Sequence, residues 1–159
     1  DDFQKILDNT TSLMQSYFKL YRATGLRRSE MFNFEEIVRS NGTWLMVRGK
    51  GNKERVVHIP DDMKGHWEVI KANPVKAHSI TRAFNRACKG AKLKARLHDL
   101  RHTFAFTQVA IGIDPFTLQM KMGHSDFKTT QVYLQTDREM LMDLIDDQKK
   151  LLDDIKVIA

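Results

Sequence analysis

The stretch Leu97-His98-Asp99-Leu100-Arg101-His102, followed by Gly123-His124 and by Tyr133, gathers cations, proton-transfer groups and one hydroxyl nucleophile within residues 97–133. That inventory suits binding of a phosphodiester, stabilisation of its transition state and attack on its phosphorus. Two basic sites upstream extend it: Arg27 in Thr24-Gly25-Leu26-Arg27, and Lys50 in Gly49-Lys50-Gly51-Asn52-Lys53. A guanidinium donates two parallel hydrogen bonds to non-bridging phosphate oxygens, which a lysine cannot do. His98 and Arg101 stand three apart, so a helix presents both on one face. Free N–H groups near a helix N-terminus add to an anion site.

Each signal also has an ordinary explanation. A phenol ionises near pH 10 and needs a positive field to act as a nucleophile, so Tyr133 alone reads as a half-buried packing residue. What changes the reading is His124, nine residues upstream, after a glycine and before a new helix. Arg27 with Glu30, three residues on, reads alone as a surface ion pair worth little; in a site, Glu30 would hold the guanidinium in place. Lys50 sits in a glycine-bounded tip, where lysines are common. Pressed between arginines, its ammonium would release a proton more readily and serve as a general acid. Lys53 competes for that role. His98 and His102 have the i, i+4 spacing used for zinc, but neither the Cys nor the adjacent Glu of the known zinc motif accompanies them, so no metal is assigned.

These groups need a scaffold, and the periodicity supplies one. Apolar residues recur at helical spacing through Phe3–Leu7 and Leu13–Tyr21. Gly25 ends that pattern, and Arg27 opens a short helix through Phe32. From Glu36 to Pro60 β-branched and aromatic residues alternate with turn signals. Three antiparallel strands are predicted near 36–40, 43–49 and 54–59, with Asn41-Gly42 as the first hairpin turn and Gly49-Lys50-Gly51-Asn52 as the second. Helices are predicted at about 61–72, 78–90, 98–111, 115–122, 127–134 and 138–155, with Gly112 and Pro115 as stop and start signals. The fold class is α+β, mainly helical with a small three-stranded antiparallel sheet. The last helix carries Leu141, Leu144, Ile145, Gln148, Leu151, Leu152 and Ile155 on one stripe with acids elsewhere, which suits packing on its own domain or on a neighbouring protomer.

The chain has 159 residues and a net charge of +6, one domain by size and large enough for a real core. The charge is uneven. Residues 1–136 hold 22 Lys and Arg against 13 Asp and Glu, whereas residues 137–159 hold 4 against 7. A basic body points to a polyanion, and the acidic tail to a protein-facing segment. Arg82, Arg86, Lys89, Lys92, Lys94 and Arg96 follow one another with no intervening acid. That run suits contacts to a nucleic acid, or is a solvated helix face. No apolar run approaches the roughly 20 residues of a membrane span, and no signal-peptide pattern opens the chain. The single cysteine, Cys88, fits a reducing cytosol and reads as a buried structural thiol. The opening Asp1-Asp2-Phe3, without methionine, suggests a fragment of a longer protein.

Residues 23–30 (Ala-Thr-Gly-Leu-Arg-Arg-Ser-Glu), 49–55 (Gly-Lys-Gly-Asn-Lys-Glu-Arg), 97–105 (Leu-His-Asp-Leu-Arg-His-Thr-Phe-Ala) and 122–125 (Met-Gly-His-Ser) through Tyr133 stand in an order and spacing that resemble the catalytic domain of the tyrosine recombinases. The resemblance spans about residues 20–134. It implies that Arg27 and Arg101 clamp the scissile phosphate and that His124 hydrogen-bonds it. Lys50 would protonate the 5′-oxygen leaving group, His98 would assist proton transfer, and Glu30 would orient the arginine site. Tyr133 would form a 3′-phosphotyrosyl bond, without metal, ATP or cofactor. The partners implied are double-stranded DNA and further copies of the chain in a tetrameric synapse, from a monomer when isolated. The implied location is cytoplasmic and nucleoid-associated. The whole chain, residues 1–159, would be the catalytic domain, its last helix exchangeable between protomers, with the family's N-terminal core-binding domain absent. Phe106, where the family has a small residue, and Met122, where it has Leu, are packing changes.

An integrase of a phage or other mobile element is the subtype favoured, with a Xer-type resolvase next. A type IB topoisomerase shares the chemistry, but the short Lys50 hairpin and the compact His98–Tyr133 spacing favour a recombinase. A catalytically silent DNA-binding module is the rival of another class, and the intact set of six reactive residues argues against it.

Overall fold

The structure, a computed structural model, describes residues 1–124 and 127–134. The side chains of Lys50, Phe127 and residues 132–134 fall outside that description, as does the predicted helix at 138–155. The chain divides into two units, residues 1–104 and 105–159.

In the first unit two helices, α1 (Asp2–Asp8) and α2 (Ser12–Thr24), precede a three-stranded sheet. Asp1 and Thr11 cap them, each side chain accepting a backbone N–H of the first turn, which satisfies donors that a helix start leaves unpaired. α2 stops at Gly25, in the left-handed region at φ 66°, whose N–H returns to the Tyr21 carbonyl at 3.0 Å. Here glycine is required twice over, because a Cβ on Gly25 would lie 2.4 Å from Cδ1 of Phe104. A 3₁₀ turn, Arg28–Phe32, then leads into the sheet.

The strands β1 (Phe34–Arg39), β2 (Gly42–Arg48) and β3 (Glu54–Ile59) form an antiparallel meander in the order β1-β2-β3. β1 begins two residues earlier than its pattern predicts. The first hairpin closes with Arg39 opposite Gly42, so the two loop residues are Ser40 and Asn41, one position before the predicted turn. Gly42 instead opens β2 at φ 148°, where a Cβ would sit 3.1 Å from the His58 ring and 3.2 Å from Trp44. The second connection is a 3₁₀ turn, Lys50–Asn52, with Gly51 at φ 75° and Asn52 at φ 58°.

Three further helices follow: α3 (Lys64–Ala72), entered through a 3₁₀ turn at Asp61–Met63, then α4 (Ala77–Gly90) and α5 (Leu97–Ala110). The core gathers Phe18, Leu20, Leu45, Ile59, Trp67, Ile80 and Phe84 from the helices and the inner sheet face. Phe18 and Phe84 meet edge to face at 5.0 Å between centroids. Burying a side chain of this size stabilises by about 1.5–3 kcal/mol. The Trp67 indole donates to Glu36 of β1 at 3.0 Å, and Lys71 pairs with the same carboxylate at 3.0 Å. Cys88 is buried on α4, and burial pushes its thiol pKa up.

In the second unit Asp114 caps α6 (Pro115–Met122), with Pro115 at its first position, and α7 (Phe127–Leu134) follows Gly123, which ends α6 at φ 65°. Leu118, Met122 and Thr130 are fully buried.

Candidate active site

The left-handed turn at Gly25 sets the site. It reverses the chain after α2, leaves the Gly25 carbonyl pointing into the first unit and delivers Arg27 to the start of the 3₁₀ turn. Glu30 folds back on that start. Its Oε2 accepts the Arg27 backbone N–H at 2.7 Å, and its Oε1 accepts Arg27 Nη1 at 3.2 Å. The Arg27–Glu30 pair is thus not the weak surface pair its spacing suggests, because Glu30 is only 1% exposed.

A third residue makes that burial tenable. Arg55 of β3 donates Nε to Glu30 Oε1 at 3.0 Å and Nη2 to Oε2 at 2.7 Å. An ionised carboxylate buried without such partners would cost several kcal/mol. Burial alone pushes the Glu30 pKa up. The hydrogen bonds and charge of Arg55, then those of Arg27, more than offset this and hold the carboxyl below its usual value of 4.5. The spacing of Arg55 in the sequence assigns it no role. The available signal was its register: in β3 every second residue is buried, and Arg55 shares that face with Val57 and Ile59. A charge on a core face needs a partner.

Arg101 on α5 is also buried, at 3% exposure, and its Nη1 donates to the Gly25 carbonyl. Arg55 Nη2 reaches that same oxygen at 3.2 Å. Arg27, Glu30, Arg55 and Arg101 therefore form one connected group. His98, one turn before Arg101, packs edge to face on His102 at 4.7 Å. Its pKa lies below the usual 6.5, first through partial burial, then through the His102, Arg101 and Arg27 charges. It also lines an open cavity of about 450 Å3 with Arg28, Thr81, Asn85 and Arg96. Among the described residues no three His, Cys, Asp or Glu side chains cluster as a metal site would need.

Gly49, the residue before Lys50, packs against the same group, since a Cβ there would lie 3.6 Å from both Arg27 Nη1 and Glu30 Oε1. Its N–H donates to the Lys53 carbonyl at 2.9 Å, closing the turn that carries Lys50. Lys53 is exposed, as are Arg82, Arg86, Lys89, Lys92, Lys94 and Arg96. α4 buries Ile80, Phe84, Ala87 and Cys88 instead, so the basic run is its solvent face and the linker after it. Arg96 also pairs with Asp99 at 3.8 Å.

In the second unit the His124 ring is hydrogen-bonded through Nδ1 to Thr130 Oγ1 at 3.0 Å, and its backbone N–H reaches Gln119 at 3.1 Å. Thr130 fixes the ring from three residues before Tyr133, and sequence reasoning passed over it. Tyr133 lies on α7.

Among the described residues a mainly helical fold with one three-stranded meander carries two arginines held by a buried carboxylate and a backbone carbonyl. This fold matches the crystal structure of XerA recombinase with a TM-score of 0.71 at 24% identity, over 93% of this chain and 61% of that one. It matches a lambda integrase (residues 75–356) dimer bound to a COC′ core site at 0.67 and 21%, over 87% and 58%. The phage integrase family matches residues 62–140. Tyrosine recombinase XerD of Rhizobium meliloti (strain 1021) is 32% identical over 161 aligned residues, covering 87% of this chain and 52% of the relative. Tyrosine recombinase XerA of Saccharolobus solfataricus is 33% identical over 125 residues, covering 72% and 43%. The chain belongs to the tyrosine recombinase family and carries its catalytic-domain fold. It spans about half the length of the curated relatives it matches. Among the described residues no helix is long and apolar enough to cross a membrane.

Proposed function

We propose that this chain catalyses site-specific recombination of double-stranded DNA through a tyrosyl intermediate, with no metal or ATP. The observation that carries the reading is the placement of Arg27 and Arg101 in one hydrogen-bonded network with the buried Glu30 and Arg55, one turn from His98. Preorganised cations stabilise the extra negative charge of a phosphoryl transition state at no reorganisation cost. In this mechanism Arg27 and Arg101 bind the non-bridging oxygens of the scissile phosphate, and His124 adds a hydrogen bond. The Tyr133 oxygen attacks phosphorus while the bond to the 5′-oxygen breaks. His98, neutral at physiological pH, assists in taking the phenolic proton, and Lys50 supplies the proton to the leaving oxygen. The products are a 3′-phosphotyrosyl bond and a free 5′-hydroxyl. The covalent bond keeps the energy of the cut strand, so reversal of the same steps rejoins DNA.

Lys53, Arg82, Arg86, Lys89, Lys92, Lys94 and Arg96 would neutralise flanking phosphates, with further copies of the chain completing a tetrameric synapse. Integrase of a mobile element is the subtype read from the sequence. A Xer-type resolvase is the second, favoured by relatives that bear the XerD, XerA and XerC names at 29–33% identity.

The test is a pool of duplexes with randomised core sequence, nicked near the cleavage position so that the released 5′-hydroxyl fragment diffuses away. With EDTA present the wild-type chain is expected to form a covalent protein–DNA adduct and Tyr133→Phe none. An adduct that persists in Tyr133→Phe would remove Tyr133 as nucleophile.

A further inference from the structure

Arg55 lies among the reactive groups, yet no role in the reaction has been given to it. We propose that it is a positioning residue, which sets Arg27 and Arg101 through the two acceptors they share with it. The inference rests on the recombinase reading above and adds a residue to that site.

Hydrogen-bond capacity sets what each shared acceptor can hold. A carboxylate offers about four lone-pair sites and a carbonyl oxygen two. Glu30 accepts from the Arg27 N–H, from Arg27 Nη1 and twice from Arg55, which fills it. The Gly25 carbonyl accepts from Arg55 Nη2 and from Arg101, which fills it as well. Arg55 takes both Glu30 oxygens, at 3.0 and 2.7 Å, whereas Arg27 reaches Oε1 at 3.2 Å. Remove the Arg55 fork and Glu30 becomes free to grip Arg27 with two parallel bonds, the favoured geometry of such a pair, turning its guanidinium away from a phosphate. The Gly25 carbonyl would lose the Arg55 donor, and the acceptor that Arg101 shares with it would be less firmly directed. Arg55 thus acts as a spacer charge. It satisfies the buried carboxylate so that the carboxylate orients Arg27 without capturing it.

A lysine in place of Arg55 keeps the charge but cannot span two carboxylate oxygens and a carbonyl from one planar fork. Arg55→Lys should therefore lower the single-turnover rate of adduct formation at saturating DNA by about a hundredfold, the scale expected for an ångström-sized misplacement. DNA affinity should change by less than about threefold, because the phosphate contacts that dominate it lie elsewhere. The loss should be less than additive with Arg27→Ala, since part of it passes through the Arg27 guanidinium and the rest through Arg101. Independently of cleavage, the Arg27 Nε–H signal in NMR spectra should move and exchange faster in Arg55→Lys. The Trp67 indole signal, remote and tied to Glu36, should stay in place as the reporter of an intact fold. Additive losses, or an Arg27 signal unmoved while Trp67 is unmoved, would overturn the proposal. An adduct missing from the wild type as well would count against the recombinase reading, and the Arg27 signal would still decide the role of Arg55.

Discussion

Arg55 and Arg101 donate to the same backbone oxygen, that of Gly25. One comes from a strand and the other from a helix 46 residues further on, and the carbonyl that joins them belongs to a helix-terminating turn. The left-handed Gly25 is therefore more than a stop for α2. Its conformation aims an acceptor at two buried guanidiniums, and its missing side chain leaves room for the Phe104 ring. Local chain geometry, packing and site electrostatics meet at that one residue.

The first expected outcome concerns that turn. Gly25→Ala meets two penalties: a left-handed φ, at about 1–2 kcal/mol, and a Cβ inside the Phe104 ring, at about 1–3 kcal/mol more. Gly51→Ala meets only the first, because nothing lies within 4 Å of a Cβ there. Urea unfolding of both variants should show Gly25→Ala as the more destabilised by about 1–3 kcal/mol. Equal losses would mean that Phe104 does not press on the turn.

Acid stability should report Glu30. Its folded-state pKa lies below the usual 4.5, so as pH falls the unfolded chain takes up the proton first. The carboxylate's contribution is complete above pH 4.5 and declines as pH drops through the lower folded value. Glu30→Gln leaves Arg55 buried without its counter-charge and should cost about 3–5 kcal/mol at pH 7. That deficit should shrink below pH 4.5, measured as unfolding free energy against pH. A constant deficit from pH 7 to pH 3 would show that Glu30 is not ionised in the fold.

Much of this site could be read from the sequence, and the reasons are physical. Gly25 ending α2, Arg27 opening a short helix and Pro115 starting α6 are local signals, decided by backbone preferences of single residues. The three strands followed from β-branched and aromatic runs set between turn signals. What escaped was what tertiary contact decides. The burial of Glu30 cannot be seen from its i, i+3 spacing, because the partner that tolerates burial lies 25 residues away on β3. Arg55 was legible only as a charge on the buried phase of a strand. Thr130, which holds His124, looked like any helix threonine. The hairpin turn was misplaced by one residue because Asn41-Gly42 suits a tight turn locally, whereas the register sets Gly42 opposite Arg39.

His98 should be neutral at physiological pH. Its pKa is lowered first by partial burial and next by the His102 charge. An imidazole proton NMR titration should find its midpoint below 6.5, and His102→Asn should move that midpoint upward. Because the unfolded chain is protonated before the folded one as pH falls through 6.5, this histidine favours folding at neutral pH and ceases to do so in acid. If His98 is the group that assists proton transfer, the acidic limb of the cleavage rate should move upward with its midpoint in His102→Asn. A midpoint above 6.5 in the wild type, or one indifferent to His102, would separate the two rings electrostatically.

Lys50 and Lys53 share one turn, and the general acid can be assigned by the chemistry of the leaving group. The Gly49 backbone rests beside Arg27 and Glu30, so the residue that follows it starts from the edge of the arginine group. Lys53 is exposed, at the base of β3. Lys50→Ala should slow cleavage by about 10²–10⁴, the usual worth of a positioned proton donor. A substrate with sulfur in place of the bridging 5′-oxygen leaves without that proton and should restore most of the rate. Lys53→Ala should instead weaken DNA binding and reduce its salt dependence by about one phosphate contact, with no selective rescue by the sulfur substrate. Rescue of Lys53→Ala but not of Lys50→Ala would exchange the two assignments. Rescue of neither would place the proton donor outside this hairpin.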